Sequence, residues 1–275
     1  MNSRMLAILL ASIVFIIAEP IRASIQNEPL SDIYLTVVAI LGVVVIGTGV
    51  RFYFKMRSRK QAIERAKGEN QFEKLATETL DEGEYAYQEP FWMIHNHPVQ
   101  IFNENKQAVA SFQFRFKNSF EKWVSLLGFI DYRNVEVKDH ITGDTIYFEH
   151  IPMRQSLWRD RWIVYKNNEE HAKFETAKIS RKQLENQMLF LYQPQGGPQY
   201  EVISPRLSRE TEIKEENDGP VILMANRTFL GIKGKGKEGN RGRKHELDDR
   251  MPGQLSFIEK VGMYQQAIVK VGNSR

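Results

Sequence analysis

The sequence predicts a mainly β protein in which antiparallel hairpins form a closed barrel or a sandwich, preceded by N-terminal transmembrane helices. Three observations lead to this prediction. Two apolar runs occupy the first 50 residues, and a highly charged connector follows them. From Tyr85 onward, apolar and polar residues alternate in short segments that are separated by polar turns.

The second apolar run, Ile33–Val50, contains no charged residue. As an α-helix it would extend about 27 Å, close to the roughly 30 Å hydrocarbon core of a bilayer. A basic cluster follows directly, and such clusters remain on the cytoplasmic side of a span and contact anionic lipid. We therefore expect a cytoplasmic C-terminal domain and a juxtamembrane lipid contact at Arg51, Lys55, Arg57, Arg59 and Lys60.

The first apolar run, Met5–Ala18, allows two interpretations. It is either a transmembrane helix over about residues 5–21, paired with a second span over about residues 33–54, or the apolar core of a signal peptide. The transmembrane hairpin is favoured because Pro20 and Arg22 disrupt the available cleavage sites. We expect residues 1–54 to form the anchor of a multi-pass protein of the cell membrane, and either interpretation leaves the C-terminal domain in the cytoplasm.

Residues 55–84 are rich in charged helix formers and predict a helical connector. A solvated stalk is favoured over an interfacial helix that lies on anionic lipid. The chain has no cysteine, which excludes disulfides and cysteine metal sites. Its net charge is +4, with much of the excess beside the apolar run, so an anionic membrane surface is a better expected partner than nucleic acid.

The remaining residues, 85–275, contain four repeats of an apolar strand, a polar turn and a second apolar strand. Asn, Asp and Gly occupy the turns, where they tolerate positive φ or bond their own backbone. The predicted hairpins pair Val99–Phe102 with Ala108–Phe116, Val135–Val137 with Thr145–Phe148, Trp162–Tyr165 with Ala172–Phe174, and Glu212–Lys214 with Val221–Met224.

Three further stretches are candidate short helices: Phe120–Ile130, Ser180–Tyr192 and Leu255–Tyr264. Residues Lys233–Lys244 form a glycine- and lysine-rich loop. Trp158–Trp162 alternates aromatic and charged residues, and this period is typical of an amphipathic strand rather than of a surface that stacks on bases.

The segments VQIFNENKQAVASFQF, VEVKDHITGDTIYFEH and RWIVYKNNEEHAKFET, within about residues 98–177, resemble the tubby C-terminal-like superfamily. This superfamily includes the LURP-one-related proteins and the phospholipid scramblases. The resemblance implies a twelve-stranded closed β-barrel around a mostly apolar helix that comes late in the chain. The late candidate here, Leu255–Tyr264, is short and contains Glu259 and Lys260. Scramblases carry their span at the C-terminus, so the resemblance does not imply scramblase activity.

The glycine-rich loop fits the start of a phosphate-binding loop from Gly231 to Lys237, but it lacks the βαβ setting that nucleotide binding requires. A solvated loop is the plain alternative, and a headgroup-binding loop is the functional hypothesis. Tubby domains bind phosphoinositides, which favours the hypothesis by analogy. The candidate lipid- or anion-binding residues are Lys233, Lys235, Lys237, Arg241, Arg243 and Lys244.

No catalytic motif occurs, so we predict no catalytic residue, no metal ligand and no cofactor. His95 and His97 are interpreted as a structural or surface pair. The leading hypothesis is a non-enzymatic domain that binds or senses a ligand at the inner membrane face, with anionic lipid headgroups as the candidate ligand. The alternative is a scaffold that docks another membrane protein, and a distant third is a hydrolase.

Overall fold

The computed structural model describes two compact units, within residues 1–65 and 66–275. The described residues are 18–26, 29–30, 32–40, 42–43, 46–47, 50, 53–54, 57, 80–88, 98–127, 132–151, 159–177, 187–205, 209–216, 219–227, 244–250 and 253–273.

In the first unit, residues 18–26 and 32–40 are helical, as are the described residues from 42 to 57. The apolar side chains on this segment are exposed; Val43 is 71% and Ile46 67% accessible. Among the residues that are described, no helix is both long enough and apolar enough to cross a membrane. The two predicted spans therefore lack structural support, and most of the first, Met5–Ala18, lies outside the described residues.

The described residues of the second unit form twelve strands and two helices. The strands are β1 (Glu84–Gln88), β2 (Val99–Phe102), β3 (Ala108–Arg115), β4 (Asn134–Asp139), β5 (Thr145–His150), β6 (Arg161–Lys166), β7 (Glu169–Thr176), β8 (Gln187–Pro194), β9 (Tyr200–Pro205), β10 (Glu210–Glu215), β11 (Val221–Arg227) and β12 (Lys244–Asp248). The helices are α1 (Ser119–Leu127), between β3 and β4, and α2 (Phe257–Asn273), after β12.

The strands form one closed antiparallel barrel in which each strand pairs with its neighbours in the chain. Closure comes from β1 and β12, whose register runs from Glu84 opposite Asp248 to Gln88 opposite Lys244. A closed sheet has no unpaired edge. This arrangement confirms the barrel over the sandwich.

All four predicted hairpins are present, as the pairs β2–β3, β4–β5, β6–β7 and β10–β11. The β6–β7 turn shows the local cause most clearly. Asn167 and Asn168 both have positive φ, at 52° and 70°. A two-residue turn of this type matches the twist of the flanking strands, and asparagine tolerates its backbone better than most residues. Trp162, from the amphipathic run, is buried in the core.

The three helix predictions have different outcomes. The helix predicted over Phe120–Ile130 is observed as α1, and residues 128–130 lie outside the described residues. The helix predicted over Ser180–Tyr192 is wrong from residue 187 onward, where the chain forms β8. Its apolar run is too short for periodicity alone to separate helix from strand. Phe190 and Tyr192 alternate into the core, which is the strand pattern.

The third candidate, Leu255–Tyr264, belongs to α2, which begins at Phe257 and continues to Asn273. Every residue from 258 to 269 is buried, so the helix is enclosed by the barrel on all sides. Barrel diameter grows with strand number, and side chains alone fill a barrel of about eight strands. Twelve strands leave additional space, which α2 occupies.

Candidate functional site

The barrel has two ends with different connections. At the first, which we call the tight-turn end, the chain connects strands through residues 103–107, 140–144, 167–168, 195–199 and 216–220, and enters α2 through residues 249–256. At the second, the long-connection end, it connects strands through residues 89–98, 116–133, 151–160, 177–186, 206–209 and 228–243. Alternating strand direction fixes this assignment, since successive connections of an antiparallel meander lie at opposite ends.

These two sets of connections have opposite charge. The segments of the long-connection end contain 15 Lys and Arg against 6 Asp and Glu, whereas those of the tight-turn end contain 2 against 5. Aromatic residues divide in the same way. Nine occur in the long connections, including Trp92, Trp123 and Trp158, and none occurs in the tight turns. Cationic and aromatic residues together are typical of segments that contact a membrane interface.

The described helix at the long-connection end, α1, has a well-defined start. Asn118 Oδ1 accepts a hydrogen bond from the amide of Glu121 at 2.8 Å, and Glu121 Oε2 accepts one from the amide of Lys117 at 3.1 Å. This reciprocal pair satisfies two backbone donors at the helix start. Ser125 Oγ then accepts from the amide of Tyr132 at 2.8 Å, just before β4. The start of α1 is therefore fixed just after β3, and its later part is held near the start of β4.

Several cations near this end are neutralised on the outer wall of the barrel. Arg115 pairs with Glu136 at 2.8 Å, and Arg161 pairs with Glu175 at 2.9 Å. Two cations of the connections are paired with strand carboxylates as well: Lys117 with Glu149, and Arg159 with Glu175 at 3.5 Å. The excess of 15 Lys and Arg over 6 Asp and Glu is a property of the connections, whereas these strand cations are paired within the barrel wall.

The predicted lipid-binding residues share this end of the topology. The chain leaves the barrel at Arg227 and returns at Lys244, so both attachment points of the basic loop lie at the long-connection end. Lys244 is the first residue of β12, and its Nζ lies 2.8 Å from Glu246 Oε1. The other five candidates lie outside the described residues: Lys233, Lys235, Lys237, Arg241 and Arg243.

In the juxtamembrane cluster, Arg57 is exposed in a helical conformation. Its companions lie outside the described residues: Arg51, Lys55, Arg59 and Lys60. His95 and His97 also lie outside them, and the remainder of the glycine-rich motif from Gly231 to Lys237 does too. These predictions remain untested by the structure.

A buried polar cluster lies at the opposite, tight-turn end, where α2 enters the barrel. Glu259 Oε1 lies 2.8 Å from both Tyr192 Oη and His171 Nε2. Glu259 Oε2 accepts from the amide and hydroxyl of Ser256, at 2.9 and 2.6 Å. Burial alone would raise the pKa of Glu259, but the hydrogen bonds from Ser256, Tyr192 and His171 outweigh it and hold the pKa below its ordinary value.

The neighbouring residue on α2 adds an ion pair, because the Lys260 ammonium contacts Asp249 just after β12. The Lys260 side chain is buried, and the Asp249 side chain is 11% accessible. Desolvation raises the pKa of Asp249 in spite of the opposing hydrogen bond and charge of Lys260. Glu259 and Lys260, which contradict a mostly apolar central helix, are thus accommodated by partners from the barrel wall and its turn.

The Ser256–Glu259–His171 geometry is that of a structural cluster. The carboxylate lies between the hydroxyl and the imidazole, whereas a nucleophilic triad requires the imidazole between hydroxyl and carboxylate. Ser256 and Glu259 have the spacing of a capping box. Within the described parts of the chain, no group of three His, Asp or Glu side chains could hold a metal ion.

Sequence analysis did not identify His171, Tyr192 or His245 as members of buried polar clusters; the two histidines belong to no motif, and Tyr192 lies at the end of a predicted helix. His245 is fully buried, stacks on Tyr87 with ring centroids 4.6 Å apart, and has its Nδ1 2.7 Å from Tyr264 Oη. No local pattern indicates these long-range contacts. The one available signal was Ser256-x-x-Glu259, which marks the start of α2.

These features define a class of protein: a closed, twelve-stranded antiparallel barrel with a C-terminal helix through its centre. The sequence model of the family described as Tubby C-terminal like domain matches residues 85–226, more than half of the chain. The chain therefore belongs to the Tubby C-terminal like domain family, as the resemblance predicted. The match covers most of the barrel, and β12 and α2 complete it. Comparisons with curated proteins and with solved structures found no match.

The fold family is non-enzymatic, and its barrel domain indicates ligand or lipid binding in general terms.

Proposed function

We propose that the chain is a membrane-anchored, non-enzymatic protein whose barrel binds anionic lipid headgroups at the inner face of the cell membrane. The observation that carries the proposal is the opposite charge of the two sets of barrel connections. One barrel end combines 15 basic residues with nine aromatic residues, and the other is weakly acidic and has no aromatic residue in its turns. An anionic bilayer attracts only the first of these ends.

The topology strengthens the earlier hypothesis about the glycine-rich loop. Lys233, Lys235 and Lys237 belong to the same set of connections as α1 and as the basic residues of segments 177–186 and 206–209. A headgroup site therefore has several elements available at one end of a rigid barrel. Each Lys or Arg near an anionic surface contributes about 1 kcal/mol to attraction.

The first unit supports the membrane part of the proposal. Its helical residues expose Ile33, Leu35, Ile40, Val43 and Ile46 together. Such an unpartnered apolar surface is unfavourable in water and favourable in a bilayer. The basic cluster that follows favours a cytoplasmic location for the barrel.

The connector between the two units is compatible with this proposal. Residues 58–79 lie between Arg57, the last described residue of the first unit, and Leu80, the first described residue of the second. Fully extended, those 22 residues would reach about 75 Å. Chain length therefore does not prevent the long-connection end from meeting the membrane.

The test measures binding of residues 66–275, which form one closed barrel with its own core, to vesicles of phosphatidylcholine with and without phosphatidylserine. A triple variant of Lys233, Lys235 and Lys237 to Gln is compared with a charge-matched variant of Lys138, Lys166 and Lys173 to Gln on the outer wall. We expect the loop variant to lose about a hundredfold in affinity for anionic vesicles, at about 1 kcal/mol per residue.

High salt should abolish the binding of the unmodified barrel, because exposed charges are screened. Changing the other three candidates, Arg241, Arg243 and Lys244, to Gln as well should remove the affinity for anionic vesicles that the triple variant retains. Equal binding to vesicles with and without phosphatidylserine would refute the proposal. A membrane protein that co-purifies in high salt would favour the scaffold alternative.

A further inference from the structure

We propose that Phe120, in the first turn of α1, is a membrane-insertion residue that enters the bilayer interface when the long-connection end meets an anionic membrane. The inference rests on the proposed function and adds a described side chain to it. It adds the insertion of an apolar side chain from α1 to the electrostatic attraction of the basic residues.

The first observation is the exposure of Phe120. Its side chain is 72% accessible, and among the described large apolar side chains of the barrel unit Ile141 alone is as exposed. The core phenylalanines Phe112, Phe148, Phe174 and Phe190, by contrast, are buried. An exposed phenylalanine ring gains by transfer to an apolar environment.

The second observation is that the position of Phe120 is fixed. It is the second residue after the Asn118 cap and lies within the turn that Glu121 closes by accepting from the amide of Lys117. The Ser125–Tyr132 hydrogen bond holds the later part of α1 near the start of β4. A ring presented on a capped helix loses less conformational entropy on insertion than one on an unrestrained chain.

The third observation is the charge around Phe120. Lys122, on the same helix, forms no ion pair with any described residue, and the six connections of this end together contain 15 Lys and Arg against 6 Asp and Glu. Ile141 provides the contrast, because it is 79% accessible at the tight-turn end. There, Asp139 Oδ1 accepts from the amide of Ile141 at 2.7 Å, and the carbonyl of Asp144 accepts from the amide of Asp139. Of these two exposed side chains, Phe120 is the one at the end whose connections have a basic excess.

The cysteine-free chain allows a direct test. Phe120→Cys and, as a matched control, Ile141→Cys are each labelled with an environment-sensitive fluorophore in the full chain. Both sites are exposed, so neither change removes a core contact. The proteins are reconstituted in phosphatidylcholine vesicles with and without phosphatidylserine, and with lipids that carry a nitroxide quencher near the headgroup.

We expect the label at position 120 to shift to shorter emission wavelength and to be quenched by the nitroxide lipid only when phosphatidylserine is present. The label at position 141 should remain accessible to aqueous iodide. A label at position 120 that stays accessible to iodide, or equal responses at both positions, would overturn the inference. Protection from iodide without quenching by lipid would also overturn it and would assign this face to a protein partner.

A binding measurement separates this inference from the function it rests on. Phe120→Ala in residues 66–275 should lower affinity for anionic vesicles by about tenfold, and Phe120→Trp should retain it. The unmodified barrel could bind anionic vesicles and the triple lysine variant could lose that binding, while Phe120→Ala binds as well as the unmodified barrel. In that case only the insertion role of Phe120 is wrong. If the unmodified barrel does not bind anionic vesicles, the proposed function itself fails.

Discussion

Tyr192 donates its hydroxyl hydrogen to Oε1 of Glu259 at 2.8 Å, and this bond connects the wall of the barrel to the first turn of the helix inside it. Glu259 also accepts from Ser256 and contacts His171. One carboxylate thus caps α2 and fixes the position of the helix in the barrel.

Removing this charge should destabilise the barrel. Changing Glu259 to Gln replaces one acceptor oxygen by a donor that faces Ser256, Tyr192 or His171, which leaves buried groups unsatisfied. We expect a loss of about 3 kcal/mol in the free energy of unfolding, measured by urea titration of residues 66–275. Glu246→Gln is the control. Glu246 forms a largely exposed pair with Lys244, and its loss should change the free energy of unfolding by less than about 1 kcal/mol. Equal losses in the free energy of unfolding for Glu259→Gln and Glu246→Gln would contradict the role of Glu259 in fixing α2 in the barrel.

The same carboxylate predicts a pH dependence. Its pKa in the folded state is held below the ordinary value of 4.5, so the unfolded chain takes up the proton first as pH falls. The stability that Glu259 provides is therefore complete above about pH 5.5 and declines below that as the pH approaches the folded pKa. The difference in free energy of unfolding between the unmodified barrel and Glu259→Gln should shrink as the solution is acidified. A constant difference down to pH 3 would show that the pKa is not lowered.

Asp249 should act in the opposite direction. Burial raises its pKa, so acidification relieves part of the unfavourable free energy of burying its charge beside Lys260. Because the raised pKa means that the folded barrel disfavours the Asp249 charge even beside Lys260, we expect Asp249→Asn to change the free energy of unfolding at neutral pH by less than about 1 kcal/mol. Asp144→Asn is a suitable comparison, because Asp144 pairs loosely with Lys166 at 4.0 Å and an asparagine oxygen can still accept from Asn167 Nδ2. Its change should also have a small effect in the same urea titration, and a loss at Asp249 as large as that of Glu259→Gln would contradict the raised pKa.

The close packing of α2 on β5 requires glycine at position 262. A Cβ at this position would overlap the Phe148 ring, with Cζ only 2.9 Å away. Gly262→Ala should therefore destabilise the barrel by about 1–3 kcal/mol, although alanine favours helix by about 1 kcal/mol. Thermal unfolding measures the change. Combining it with Phe148→Leu should recover part of the loss if the clash is the cause, and additive losses would exclude that explanation.

The membrane proposal predicts a strong effect of charge within the second apolar run. Val43→Lys places an ammonium among the exposed apolar residues and should disfavour insertion by about 3 kcal/mol. We expect this variant of the full chain to be released by alkaline carbonate from cell membranes that retain the unmodified protein. Ile25→Lys, at a site that is 78% accessible and outside both predicted spans, should remain in the membrane fraction. Release of both variants, or of neither, would count against a span at this position.

The sequence by itself determined the eight strands of the four hairpins and their turns, because these depend on neighbouring residues, whereas β1, β9 and β12 were not predicted. Phe112 and Phe114 alternate with polar residues, and Asn167 and Asn168 favour the turn that they form. It also indicated the family and the start of α2. It did not determine β8, since a short apolar run is compatible with a helix and a strand until its pairing partners β7 and β9 are known.

Tertiary structure alone decided three features that depend on distant residues. Barrel closure brings Glu84 opposite Asp248, and the inside of that barrel brings His171 to Glu259. The strand directions then place the attachment points of the basic loop at the end that carries α1. Periodicity reports which face of an element is buried, whereas the partner that covers it is set by chain closure over long separations. Closure of the barrel therefore determines both the burial of the charged side chains on α2 and the separation of the connections into two ends.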